Sequence, residues 1–152
     1  MRSEEKEITD IAEIEKVIKK ATCCRIGLVD EDEPYVVPVC FGYERNAIYF
    51  HGALEGRKAE LIKKNNKVCF EIDTDVAVVK SEKPCGWAMK YKSVIGVGRA
   101  SILENDAEKS QALKLIMKQY AEGEFSFSNS ALDSVLVVKV NISNMTGKQS
   151  GY

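Results

Sequence analysis

A mainly β fold, a small barrel carrying accessory helices, is what this sequence predicts, on three observations. Apolar stretches at residues 23–29, 35–43 and 47–51 follow one another, divided by the turn-like segments DEDEP and ERN, which reads as a meander of strands. Three more β-rich stretches follow, KVCFEID, KYKSVIGVGRASIL and SVLVVKVNI, bringing the total to about six strands. Helical periodicity is confined to three segments. Short antiparallel strands interrupted by a few helices cover their apolar faces by closing into a barrel. The chain has 152 residues, enough for one domain with a core and too few for two, so residues 1–152 are read as a single domain.

The elements follow in order. Residues 10–20 are predicted as a helix capped by Thr9 or Asp10, with Glu13 in capping-box position and Ile11, Ile14, Val17 and Ile18 on one face. In the second strand Pro38 removes a ladder donor, which places PYVVPVCFGYE at a sheet edge or a bulge. A bulged edge offers backbone groups to a ligand, and a plain edge is shielded by the same proline. Residues 54–64 are predicted as an amphipathic helix and 67–73 as a strand. Residues 105–121 form a helix capped by Asn105 or Asp106, with Leu113, Ile116, Met117 and Tyr120 at helical spacing. Gly96 and Gly98 lack the third glycine and the strand-to-helix setting of a dinucleotide fingerprint, so they are read as close packing or a bulge. The segments SEKPCGW and EGEFSFSNS are read as ordinary connections or as walls of a site.

Charge and cysteine usage exclude several functions. A formal net charge of −1 with interspersed acids and bases supplies no field for nucleic acid or an acidic membrane. The stretch MRSEEKEITD has no apolar core of a signal peptide and no apolar run approaches a membrane span, so the expectation is a cytoplasmic protein. Five cysteines, at 23, 24, 40, 69 and 85, show no CxxC or zinc spacing, and the odd count argues against a disulfide framework. With one histidine as well, no metal site is expected.

The stretch IYFHGALEGRKAELIKKN carries the candidate chemistry. Arg57 and Lys58 open a helix, where the macrodipole favours anions and sequences normally place acids. Either they are a solvated basic turn, or they hold an anion together with the backbone N–H groups exposed at Gly56. A phosphate at the barrel rim satisfies all three. His51, the single histidine, ends the preceding strand and is open to a structural or a catalytic reading, the latter as donor of a proton or a hydrogen bond. Trp87, Tyr91 and Ser93 bring aromatic and hydroxyl groups before an apolar strand, which core packing explains in part.

Taken together, CRIGLVDEDEPYVVPVCFGYERNAIYFHGALEGRKAELIKKNNKVCFEID and WAMKYKSVIGVGRA resemble the flavin-binding split-barrel family related to pyridoxamine 5′-phosphate oxidase, and more narrowly its nitroimidazole-resistance branch. The resemblance runs from about Glu7 to the closing NMTGK. It implies a split-barrel homodimer that binds FMN, with FAD as the alternative, between its subunits. It also implies that Arg57 and Lys58, with Gly56 at the turn, hold the flavin phosphate. Val37, Pro38, Val39, His51 and Gly52 would then line the ring, and Trp87, Tyr91 and Ser93 would reach it from the second subunit. His51 would stand beside a small-molecule substrate, nitroaromatic-like in that branch, as the candidate catalytic residue of a reductase. VPVCFG and VNISNMTGKQSGY stand where the oxidases carry further basic residues, which argues against vitamin B6 oxidation. The alternative is a non-catalytic flavin- or haem-binding module.

Overall fold

The chain is seen in a computed structural model that describes residues 6–152. A short β1 (Glu7–Ile8) leads into α1 (Ile11–Lys20). Asp10 is the cap, its Oδ1 accepting the Ala12 N–H at 2.9 Å. Glu13 pairs with Lys16 and makes no capping box. Ile14, Val17 and Ile18 are buried, while Ile11, expected on the same face, is exposed.

Strands β2 (Cys24–Asp30) and β3 (Glu33–Val39) form a hairpin whose tight turn places Glu31 at φ 58°. The stretch expected as one strand over 35–43 is two, because β4 (Phe41–Glu44) starts after a break at Cys40 and pairs with β5 (Ala47–Gly52). Sheet topology supplies the reason. The order is β3-β2-β6-β7-β8-β5-β4, so β3 and β4 are opposite edges of one sheet although a single residue separates them in the chain. The sheet therefore curls until its edges meet, and the seam between them carries no ladder. Pro38 sits on the β3 edge, where its missing N–H costs no ladder bond.

The long strands β6 (Lys67–Val79) and β7 (Ala88–Ile102) are joined through a 3-10 turn at Pro84–Gly86, and β8 (Leu136–Ser150) completes the wall. All three run further than the sequence pattern indicated, because each is paired over most of its length. Both readings of the glycine pair hold. A Cβ on Gly96 would lie 2.3 Å from the Phe70 ring, and the β7–β8 register shifts between Val97 and Gly98.

The barrel interior is filled by Phe41, Phe50 and Phe70 with surrounding Ile and Val, and is plugged by α1 and by Leu61 and Ile62 of α2 (Arg57–Lys64). Truncating any of these phenylalanines to alanine is expected to cost about 3–5 kcal/mol. A second, smaller cluster lies outside the barrel. There α3 (Asp106–Tyr120) and α4 (Asn129–Asp133) set Leu113, Ile116 and Leu132 against Val137 of β8. The helix α4, capped by Ser128, was not expected from the sequence. Contact of α3 with the β4 edge requires glycine at 42, since a Cβ there would stand 2.6 Å from the Leu115 backbone. Among the described residues no helix is long and apolar enough to cross a membrane.

Candidate functional site

The helix α2 begins later than expected, at Arg57, because Gly56 takes φ 108° and ψ 170°, a region open essentially to glycine alone. Gly56 is the N-cap and supplies no side-chain acceptor, so the first N–H groups of α2 lack a side-chain cap. Space around Gly56 is open, with nothing within 4 Å of a Cβ built there.

The two cations at this helix start are separated by their surroundings. Arg57 finds its anions within the chain: Nη2 lies 3.3 Å from both Asp30 Oδ2 and Glu33 Oε2 at the β2–β3 turn, and the guanidinium stacks 4.7 Å from the Tyr35 ring centroid. Lys64, later on the same helix, reaches Asp30 and Glu31 of that turn. The acidic run that reads as a turn is thus also a clasp for α2, which opposite charges 24 and 27 residues apart in sequence announce only weakly.

Lys58 has no such partner. Its ammonium crosses Gly52 and lies 5.7 Å from the Phe50 ring centroid, and no carboxylate among the described residues pairs with it. A Cβ at 52 would meet Lys58 Nζ at 2.6 Å, so a side chain there would displace the flexible end of Lys58. Burial holds the pKa of Lys58 below the usual lysine value. The first turn of α2 thus combines N–H groups that lack a side-chain cap with a half-buried cation that is unpaired among the described residues.

His51 points outward from β5, opposite Val137 of β8, while its neighbour Phe50 points into the barrel. Its imidazole lines a cavity of about 280 Å³ whose other walls are Leu113, Ile116, Met117, Phe127, Ala131 and Val135. One side of His51 remains exposed to solvent. Burial first, and then the Lys58 charge, lower its pKa from the ordinary 6.5. At neutral pH the ring is therefore uncharged, suited to a hydrogen bond through N–H rather than to delivery of a stored proton. Of the cavity walls, the α3 residues were legible as a helical stripe and Phe127 as part of an aromatic-rich loop. The role of Ala131 and Val135 depended on α4 and was not.

The remaining expected residues divide. Val37 and Val39 face the barrel core, so only their backbone and the outward Pro38 are available to a ligand. Trp87 is exposed at the end of the 3-10 turn, Tyr91 is half-buried with Lys148 Nζ 5.9 Å from its ring centroid, and Ser93 is buried opposite Lys148. Along β8, the positions facing His51 and Ser93 are Val137 and Lys148, roughly 35 Å apart by strand contour. One chain thus brings His51, Gly52, Gly56, Arg57 and Lys58 to one end of the barrel and leaves Trp87, Tyr91 and Ser93 at the other. Among the described residues no group of three or more His, Cys, Asp or Glu is placed to hold a metal ion.

An eight-stranded antiparallel sheet closed across a seam, with a basic helix start at its rim, defines the split-barrel class. The profile of the pyridoxamine 5′-phosphate oxidase family matches residues 10–149, and the chain belongs to that family. Among solved structures, a candidate 5-nitroimidazole antibiotic resistance protein from Bacteroides thetaiotaomicron is 37% identical, with a TM-score of 0.84 over 94% of this chain and 86% of the other. An FAD- and heme-binding protein from Mycobacterium smegmatis superposes with a TM-score of 0.86 at 16% identity, over 97% of this chain and 74% of its own. The flavocytochrome Anf3 from Azotobacter vinelandii gives 0.86 at 17%, over 100% and 72%. These last two speak to the fold alone. No curated protein sequence matches the chain.

Proposed function

We propose that this protein is a flavin-binding oxidoreductase, taking FMN, or FAD in its place, with a flavin phosphate at the start of α2. The observation that carries the reading is Lys58, a half-buried ammonium without a counter-ion among the described residues, on the first turn of a helix whose open N-terminus has no side-chain cap. Retaining such a group costs stability unless a ligand compensates it. Arg57 reaches the same anion only by leaving Asp30 and Glu33, so Lys58 and the backbone N–H groups carry the larger share. The matching family and the nitroimidazole-resistance relative support a flavin and a small nitroaromatic-like substrate.

When bound, the flavin supplies the electron chemistry. The chain's own part is to neutralise the phosphate, to offer the β3 edge and Gly52 as a flat wall, and to present the neutral imidazole of His51 to a substrate oxygen. We place a homodimer in this reading. Trp87, Tyr91 and Ser93 lie too far from His51 to share a ligand with it in one chain, and a second copy brings them there. Val36, Ile95 and Val97, exposed on the outer face of the barrel, suit burial against that copy. The cytoplasm is the compartment proposed, with neither nucleic acid nor membrane as partner.

The test is the absorption spectrum of the purified protein, followed by addition of NADH or NADPH and then a nitroaromatic acceptor. A flavin band bleached by nicotinamide and restored by the acceptor is the expected result. The FAD- and heme-binding protein and the flavocytochrome that share the fold favour one other reading, a non-catalytic flavin- or haem-binding module. A haem band, or a flavin band that no reductant and acceptor cycle, would establish that reading instead.

A further inference from the structure

Two of the five cysteines, Cys23 and Cys40, flank the end of the β2–β3 ladder at the barrel seam, and the proposed flavin site uses neither. The β2–β3 ladder ends at the pair Cys24 and Val39, and Cys23 and Cys40 are the next residue on each segment beyond that last pair. Cys24 and Val39 are buried in the core, so the alternation of strand side chains sends Cys23 and Cys40 together to the outer face. Cys40 is accordingly exposed and Cys23 half-buried, and both are free thiols.

Just beyond them a phenol bridges the two segments: Phe41 donates its N–H to Tyr120 Oη at 2.9 Å, and Tyr120 donates to the Thr22 carbonyl at 3.2 Å. Pro38 carries no N–H, so Arg25 and Pro38 form a non-hydrogen-bonded pair and Cys24 and Val39 a hydrogen-bonded one, with Cα atoms about 5.5 Å apart, and Cys23 and Cys40 follow directly on that pair. A disulfide requires Cα atoms roughly 4.4–6.8 Å apart. Burial pushes the Tyr120 phenol up to about 12, with the Cys40 thiol adding to the rise. The other cysteines lack this arrangement. Cys69 stands opposite Gly27 and Val97, Cys85 lies in the 3-10 turn, and Cys24 faces the core.

We propose that Cys23 and Cys40 are a redox-active dithiol that closes to a disulfide across the barrel seam when oxidised by a low-molecular-weight disulfide. One thiolate attacks the reagent, forming a mixed disulfide and releasing one reagent thiol. The second thiolate then attacks the protein sulfur of that mixed disulfide and releases the other. The protein gives up two electrons and two protons, and the reagent gains them as two thiols.

The test treats the native protein with glutathione disulfide and, in a second arm, refolds it from denaturant in a glutathione redox couple. Thiols are then counted under denaturing conditions, and peptides are mapped without reduction. The expected result in both arms is a fall from five thiols to three, with the Cys23 peptide joined to the Cys40 peptide and the mass lower by two hydrogens. Dithiothreitol should reverse it. Cys23→Ser and Cys40→Ser should each abolish the crosslink, and Cys85→Ser should leave it intact. Five surviving thiols after refolding in the oxidising couple, a crosslink between other cysteines, or only mixed disulfides with glutathione would each overturn the proposal.

Discussion

Replacing Lys58 by methionine removes the ammonium while keeping most of the stem, and it separates ligand binding from stability. If a flavin phosphate accepts one charge-assisted bond from Lys58, that bond is worth roughly 1.5–3 kcal/mol. At about 1.4 kcal/mol per decade, FMN affinity should fall about ten- to a hundredfold. Riboflavin, which has no phosphate, should bind both proteins alike. In the ligand-free protein the change should leave the melting temperature unchanged or raise it, because the cation is half-buried, unpaired and held below its ordinary pKa by burial. Arg57→Ala should behave oppositely. Its pairs with Asp30 and Glu33 lie at the surface, so its loss should cost roughly 0.2–1 kcal/mol of stability per pair, with a smaller effect on FMN. Gly52→Ala, whose new methyl would meet Lys58 Nζ, should reproduce the affinity loss without touching a charge. Fluorescence titration with FMN and riboflavin, alongside thermal melts, measures all of this. Equal weakening of both ligands by Lys58→Met, or a clear loss of ligand-free stability, would refute the phosphate assignment.

Gly56→Ala meets no neighbour but forces alanine into φ 108°, so chemical denaturation should show a loss of roughly 1–3 kcal/mol from backbone strain alone. His51 takes up its proton at lower pH in the folded than in the unfolded chain; its stabilising contribution is complete above about 6.5 and declines as pH falls toward the folded value. Melting temperatures from pH 8 to 5 should therefore fall less in His51→Gln than in the wild type. If His51 also donates a hydrogen bond to the substrate, His51→Ala should slow reoxidation of the reduced protein by a nitroaromatic about 10²- to 10³-fold and His51→Gln, which keeps an N–H donor, less; unchanged stopped-flow rates in both would assign it to structure. Light scattering at micromolar concentration should give a dimer, and a stable folded monomer would sink the shared-site geometry.

Local pattern was enough to read the class of fold, the helices α1 and α3 with their caps, the edge placement of Pro38 and the unusual basic start of α2, because each depends on periodicity or on backbone rules acting over a few residues. Arg57 and Lys58 looked equivalent, and only the folded chain distinguishes them: the β2–β3 turn returns Asp30 and Glu33 to Arg57 and leaves Lys58 over Gly52. The division of residues 35–43 into β3 and β4 was equally hidden, since both halves read as strand and only barrel closure requires them to pair with opposite edges. The cavity beside His51 depends on α4, a single helical turn too short for periodicity to reveal. Propensity and alternation act along the chain, and so they are written in it; which charge meets which, and where a sheet closes, are settled by contacts between residues tens of positions apart, and those only the tertiary structure brings together.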